Sequence, residues 1–180
     1  GHITSPYPWI SHDDWGSKYS DMMPGYVLAA VYLYNLTGDR EFFDSMVESL
    51  IKALESQEKR YLDGEVWLCK NLVTENELNM NDYWEHTAGK YNGYTSAMYY
   101  EALVKFSTLL EALYGSQYAD LVNRYLDLAG KIKEDFNRLM WSDKTNTFLY
   151  GSGNHDILYL PVQGAAIRGG IVDKERIKLM

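Results

Sequence analysis

Two kinds of helix alternate along this chain, and that alternation limits its fold more than any other feature. The stretch Tyr26-Val27-Leu28-Ala29-Ala30-Val31-Tyr32-Leu33-Tyr34 is apolar on every side. A helix there, from about Pro24 to Leu36, is expected to be buried nearly all round. Pro24 suits its first turn, Gly38 ends it, and Asp39 is placed to cap the next helix. That next helix, about Arg40 to Glu58, has its apolar residues at Phe42/Phe43, Met46/Val47, Leu50/Ile51 and Leu54, the spacing of a one-sided amphipathic helix. Gly93-Tyr94 then repeats Gly25-Tyr26 at an offset of 68 residues and opens a second mostly apolar helix, Ser96 to Leu113. Gly115 breaks it and Ser116 can cap its successor. The one-sided face returns as Tyr118, Leu121/Val122, Tyr125, Leu128/Ala129, Ile132, Phe136 and Leu139. A third apolar segment, Tyr159 to Ile167, ends at Gly169-Gly170, and Asp173 can cap a short helix starting Lys174-Glu175-Arg176-Ile177.

The pattern predicts an all-α protein of successive antiparallel helical hairpins, about two and a half of them, in one domain over residues 1–180. Buried helices form an inner layer and amphipathic helices wrap it. Long irregular stretches at 65–90 and 141–156 separate the hairpins, the first with a short strand expected at Val66-Trp67-Leu68. Loops of this length in a compact domain are more often functional than not. If the inner helices run parallel, the long loops that precede them emerge on one face.

Those loops carry the chemistry-bearing residues. The first holds Ser11-His12-Asp13-Asp14-Trp15 and Asp21, the second Asn81-Asp82-Tyr83-Trp84-Glu85-His86 and Lys90, the third Asn154-His155-Asp156. Carboxylates beside Trp and Tyr are what hydrolysis of a glycosidic bond needs. One carboxylic acid protonates the glycosidic oxygen, a second carboxylate activates water or attacks the anomeric carbon, and aromatic faces stack on sugar rings. Helix N-termini nearby favour ionised carboxylates. The candidate catalytic residues are therefore Asp82, Glu85, Asp13 and Asp14, with Trp15, Asp21, Trp84, His86, Lys90, His155 and Asp156 as candidate substrate contacts. Plainer roles compete. Asp13, Asp14 and Asp21 can cap or precede the first helix, Trp84 can anchor its loop, and Lys90 can be a solvated or structural charge. Tyr26, Tyr32, Tyr34, Tyr99 and Tyr100 read as packing residues. No two histidines share the i, i+4 spacing of a helical metal site, so no metal and no other cofactor is expected.

A formal charge of −8 with scattered Lys and Arg argues against a nucleic-acid partner. No apolar run reaches the ~18 residues of a membrane span. The lone Cys69 and the lack of a signal-peptide layout lead to the expectation of a cytoplasmic protein.

Taken together, Asp82-Tyr83-Trp84-Glu85, Gly93-Tyr94-Thr95-Ser96-Ala97-Met98-Tyr99-Tyr100 and Phe136-Asn137-Arg138-Leu139-Met140-Trp141 resemble the six-hairpin glycosidases. These are the (α/α)6-toroid glycoside hydrolases, with α-L-rhamnosidase-like, trehalase-like and α-glucosidase-like groups. Trp15, Asp21, Pro24, Tyr34 and Thr37-Gly38-Asp39 look like the rhamnosidase-type pattern, and Gly170-Ile171-Val172-Asp173-Lys174-Glu175-Arg176 is similar to a late hairpin turn of such domains. The resemblance implies part of an (α/α)6 toroid and an inverting acid/base mechanism. Asp82 and Glu85 stand where some members carry the general acid, whereas in rhamnosidase-like members it falls around Asp13-Asp14. The partner base is expected to lie on a hairpin that this chain lacks. Two other functions fit the same pattern: a sugar epimerase or isomerase with proton transfer by His12, His86 and His155, or a non-catalytic helical module binding a saccharide or protein. A part-ring also exposes inner-helix apolar surface, so self-association is expected.

Overall fold

The computed structural model describes residues 20–70, 89–152 and 158–180. Helices account for 72% of them, and the fold is all-α. α1 spans Met22–Thr37 and stops at Gly38, whose φ of 67° is the left-handed geometry that closes a helix; its N–H donates to Tyr34 O at 2.7 Å. α2, Arg40–Tyr61, starts under the expected cap, the Asp39 carboxylate accepting the Phe42 N–H at 2.9 Å. α3 covers Gly93–Tyr114 and α4 Ala119–Leu139. Between them Gly115–Tyr118 forms a 3-10 turn, so Ser116 lies inside that turn and caps nothing. α5 is Leu160–Gly169 and α6 is Lys174–Ile177. Asp173 occupies the N-cap position of α6, but its side chain makes no capping bond.

Two irregular stretches differ from expectation. Residues 66–68 form no strand, and among the described residues none pairs with them; the Trp67 N–H donates instead to the Asp135 carboxylate of α4 at 2.7 Å. The stretch after α4 contains a hairpin of two short strands, β1 (Trp141–Ser142) and β2 (Thr147–Phe148). Asn146, at φ 52°, turns the chain between them. The hairpin carries Phe148 onto Phe136 of α4, ring centroids 4.8 Å apart.

The helices form two layers. α1, α3 and α5 lie side by side with α3 in the middle, α2 packs on α1, and α4 packs on α3. The inner three run parallel. Ser20, just before α1, shares a 2.8 Å hydrogen bond with Thr95 in the first turn of α3. Further along, Lys105 of α3 sits 5.4 Å from the Tyr32 ring of α1. Tyr159, just before α5, packs edge-on against Tyr150 at 4.7 Å, and Tyr150 accepts the Asn92 side-chain N–H before α3 at 3.0 Å. α2 runs the other way. Its first residue, Arg40, stacks over Tyr114 at the far end of α3, while Leu54 O accepts the Tyr99 hydroxyl near the start of α3 at 3.1 Å.

One buried cluster runs from Met23 to Val172 and includes Phe43, Leu50, Leu54, Tyr99, Phe106, Tyr125, Ile132 and Phe136. α4 buries the face its spacing predicts, through Val122, Tyr125, Leu128, Ala129, Ile132 and Phe136. α1 does not behave as expected. Val27, Leu28, Ala30 and Val31 are buried, but Ala29, Leu33 and Leu36 are exposed, Leu36 at 85%. Among the described residues α1 is flanked only by α2 and α3, so its remaining side has nothing to pack on. No helix of the described residues is long and apolar enough to cross a membrane.

The join between α3 and the chain after β2 tolerates no side chain. The Gly93 N–H donates to Tyr150 O at 2.6 Å, and a Cβ at Gly93 would stand 2.4 Å from Leu149 O and 3.1 Å from Tyr150 O. Backbone carbonyls cannot swing aside. Gly93→Ala is therefore expected to destabilise the protein by about 1–3 kcal/mol. Gly130→Ala, in open space midway along α4, should stabilise by about 0.4–1 kcal/mol. Urea-unfolding midpoints of the two variants check both signs.

Candidate functional site

The parallel inner helices start on one face, and Asn92 organises it. This residue is fully buried. Its Oδ1 accepts the Thr95 N–H at 2.9 Å, capping α3, and its Nδ2 donates to the Tyr150 hydroxyl. Its own N–H donates to Cys69 O at 2.8 Å. Ser96 extends the network: its Oγ accepts the Cys69 N–H at 2.9 Å and donates to Asn92 O at 2.6 Å. Lys70 pairs with Tyr91 in an antiparallel bridge, and Asn92 pairs likewise with Gly151. Tyr91 O also accepts the Ser152 N–H at 3.1 Å. Thus the residues on both sides of 71–88, and those leading into 153–157, are fastened to the first turn of α3. Ser20, which follows residues 1–19, joins through Thr95.

Beside this junction lies a charged cluster. Asp63 Oδ1 accepts the N–H groups of Glu65 and Val66 at 3.1 and 3.2 Å, and Oδ2 accepts the Tyr91 hydroxyl at 3.2 Å. Lys90 Nζ stands 3.3 Å from the same oxygen and 4.9 Å from the Tyr91 ring. Burial alone would raise the Asp63 pKa. The two backbone donors, with Lys90 and Tyr91, outweigh it and hold the carboxyl at about 2.

Of the residues expected to form the site, Lys90 and Asp21 lie on this face. Lys90 is tied to Asp63 rather than standing alone. Asp21 takes the N-cap position of α1 without a side-chain capping bond. Asp13, Asp14, Trp15, Asp82, Trp84, Glu85, His86, His155 and Asp156 lie outside the described residues, as do all four histidines. Among the described residues no group of His, Cys, Asp and Glu could hold a metal ion. Cys69 is fully buried, and that burial pushes its thiol up to about 12, which favours the neutral thiol. No family model and no curated protein matches the chain.

A second polar constellation, unanticipated from the sequence, lies midway along the inner layer. Glu101 of α3 is fully buried. It accepts two hydrogen bonds on Oε2 from Arg168 of α5, Nε at 3.0 Å and Nη2 at 2.8 Å; its Oε1 accepts the Tyr32 hydroxyl of α1 and shares the Arg168 Nε at 3.1 Å. Burial and the Glu101 carboxylate together push the Tyr32 hydroxyl above the usual phenol range. Tyr32 therefore does more than pack: it ties α1 to α3. A Glu eight residues into a mostly apolar helix was the signal available in the sequence.

The depressed pKa of Asp63 has a measurable consequence. An unfolded aspartate titrates near ~3.9, whereas folded Asp63 titrates at about 2, so its ionisation favours the folded state. That contribution, about 2 kcal/mol, is complete above ~pH 4 and vanishes as the pH falls to 2. Asp63→Asn should therefore be less stable than the wild type at pH 7, and the gap should close between pH 4 and 2. Urea unfolding across that pH range measures it.

Proposed function

We propose that this chain is part of a glycoside hydrolase of the six-hairpin kind, whose catalytic face is the shared N-terminal end of α1, α3 and α5. The supporting observation is the junction at Asn92. The chain positions flanking the segments with Asp82 and Glu85, and with His155 and Asp156, are fastened to the first turn of α3, and Ser20 ties in the end of the segment with Asp13 and Asp14. Acids delivered to one end of a parallel helix layer can act on one substrate from opposite sides, as acid/base hydrolysis requires. In this reading Asp82 or Glu85 protonates the glycosidic oxygen, and Trp15 and Trp84 stack on the sugar.

Activity on a panel of aryl α- and β-glycosides tests it. The protein, supplied with further hairpins if it is part of a longer chain, should release the aryl alcohol. Asp82→Asn or Glu85→Gln should lower kcat by about 10²–10⁴-fold without shifting the melting temperature. Isomerised free sugar instead of hydrolysis, or full activity in both variants, would overturn this assignment.

The open side of α1 bears on how the protein associates. Leu33 and Leu36 are 43% and 85% exposed and stand on one helix face with Ala29. In our reading this stripe pairs copies of the chain. Light scattering should give a mass above the 20.8 kDa of a monomer, and Leu33→Glu with Leu36→Glu should return it to that value. A wild type that is already monomeric refutes the pairing.

A further inference from the structure

The inner layer is almost free of charge, and the charges it does carry are gathered at one point. α1 has no charged residue, α3 has Glu101, Lys105 and Glu111, and α5 has only Arg168. Three of these four meet. Arg168 pairs with Glu101 through Nε and Nη2, and Lys105 Nζ stands 4.0 Å from Glu101 Oε1. Two cations thus face one carboxylate, in a protein whose net charge is −8.

Neutralising Glu101 does not require both. Arg168 and Tyr32 already satisfy its oxygens through short, charge-assisted bonds. Lys105 adds only a longer contact, with its side chain 36% exposed. Arg168 is 52% exposed, and among the described residues its Nη1 donates to nothing. One positive charge and a free edge of the guanidinium are therefore left over, beside water, with the Tyr32 ring next to them. A planar guanidinium edge with an ammonium alongside suits an oxyanion of carboxylate shape.

We propose that Arg168 and Lys105 form a subsite for the carboxylate of an acidic saccharide, so that the substrate class is an anionic rather than a neutral glycan. The inference rests on the carbohydrate reading given above. Glu101 positions the subsite: it engages Arg168 through Nε and Nη2 and leaves Nη1 without a bond among the described residues. The subsite lies nine residues along α3 from Asn92, about 13 Å from the N-terminal face. It would therefore hold an acidic unit some distance from the sugar that reacts.

Titration calorimetry on the 180-residue chain tests this with D-glucuronate, its neutral counterpart D-glucose, and acetate and inorganic phosphate as free anions. Glucuronate should bind at least tenfold tighter than glucose, and tighter than acetate or phosphate. Lys105→Met is the variant of choice, since it spares the Glu101–Arg168–Tyr32 bonds. It should weaken glucuronate about tenfold, leave glucose unchanged and keep the wild-type melting temperature. Arg168→Lys should weaken glucuronate as well, since it keeps the charge and loses the planar edge. Equal binding of glucose and glucuronate overturns the subsite while leaving the carbohydrate reading standing. Unchanged glucuronate binding in Lys105→Met also overturns it. Binding of acetate or phosphate with no affinity for either sugar overturns the acidic-saccharide assignment together with the reading it rests on.

Discussion

The buried side chain of Asn92 is the interaction on which the rest of this structure depends. A helix that begins inside a protein leaves its first N–H groups without helical partners, and each would cost free energy if left unpaired. Asn92 meets one of these needs by accepting the Thr95 N–H. With its remaining groups it holds the Tyr150 hydroxyl and the Cys69 carbonyl. The cap of α3 is thereby also the fastening of two chain segments. Gly93 follows for the same reason, because its N–H bond to Tyr150 O brings the Leu149 carbonyl too close for any Cβ. The start of the central inner helix, the hairpin after α4 and the return from α2 therefore stand or fall together.

Charge placement follows a similar economy. Exposed pairs such as Arg40–Asp44 and Lys52–Glu48 lie on the outer helix α2, where solvent screens them and their contribution is small. The inner layer instead carries one buried acid, Glu101, held by donors from both neighbouring helices. A buried carboxylate is tolerable only when its partners are fixed, so this acid specifies how α1 and α5 sit against α3. The same requirement draws Arg168 across α3 and leaves part of it facing water, which is the basis of the anion subsite. At the N-terminal face Asp63 plays a comparable part, with two backbone donors and the Lys90–Tyr91 pair converging on it.

Much of the helical layout was legible because it rests on short-range rules. The Asp39 cap, the Gly38 stop and the buried face of α4 are local in origin, and each is where the residue pattern puts it. The misses have long-range causes. Ser116 has the right chemistry for a cap, but the chain after Gly115 tightens into a 3-10 turn first. The β1–β2 hairpin is too short to show an alternating pattern, and it forms where Phe148 can stack on Phe136. Val66-Trp67-Leu68 has strand-like residues, but among the described residues no strand pairs with it, and its Trp67 N–H goes to Asp135. At the site, Lys90 and Asp21 could be placed on the expected face, whereas the meeting of Glu101 with Tyr32 and Arg168 joins residues 69 and 67 positions apart, a distance over which sequence spacing carries no signal.

By itself the sequence determined the class of the fold, the order of its main helices and local features such as the Gly38 stop and the Asp39 cap, because helix periodicity, glycine stops and side-chain caps act within a few residues. The tertiary structure decided that the inner helices run parallel, that their N-termini share one face, and that α1 leaves a leucine stripe uncovered. It also decided which charges meet. Those outcomes depend on what each helix finds beside it, and neighbours in space are set by packing of the whole layer rather than by any stretch of residues.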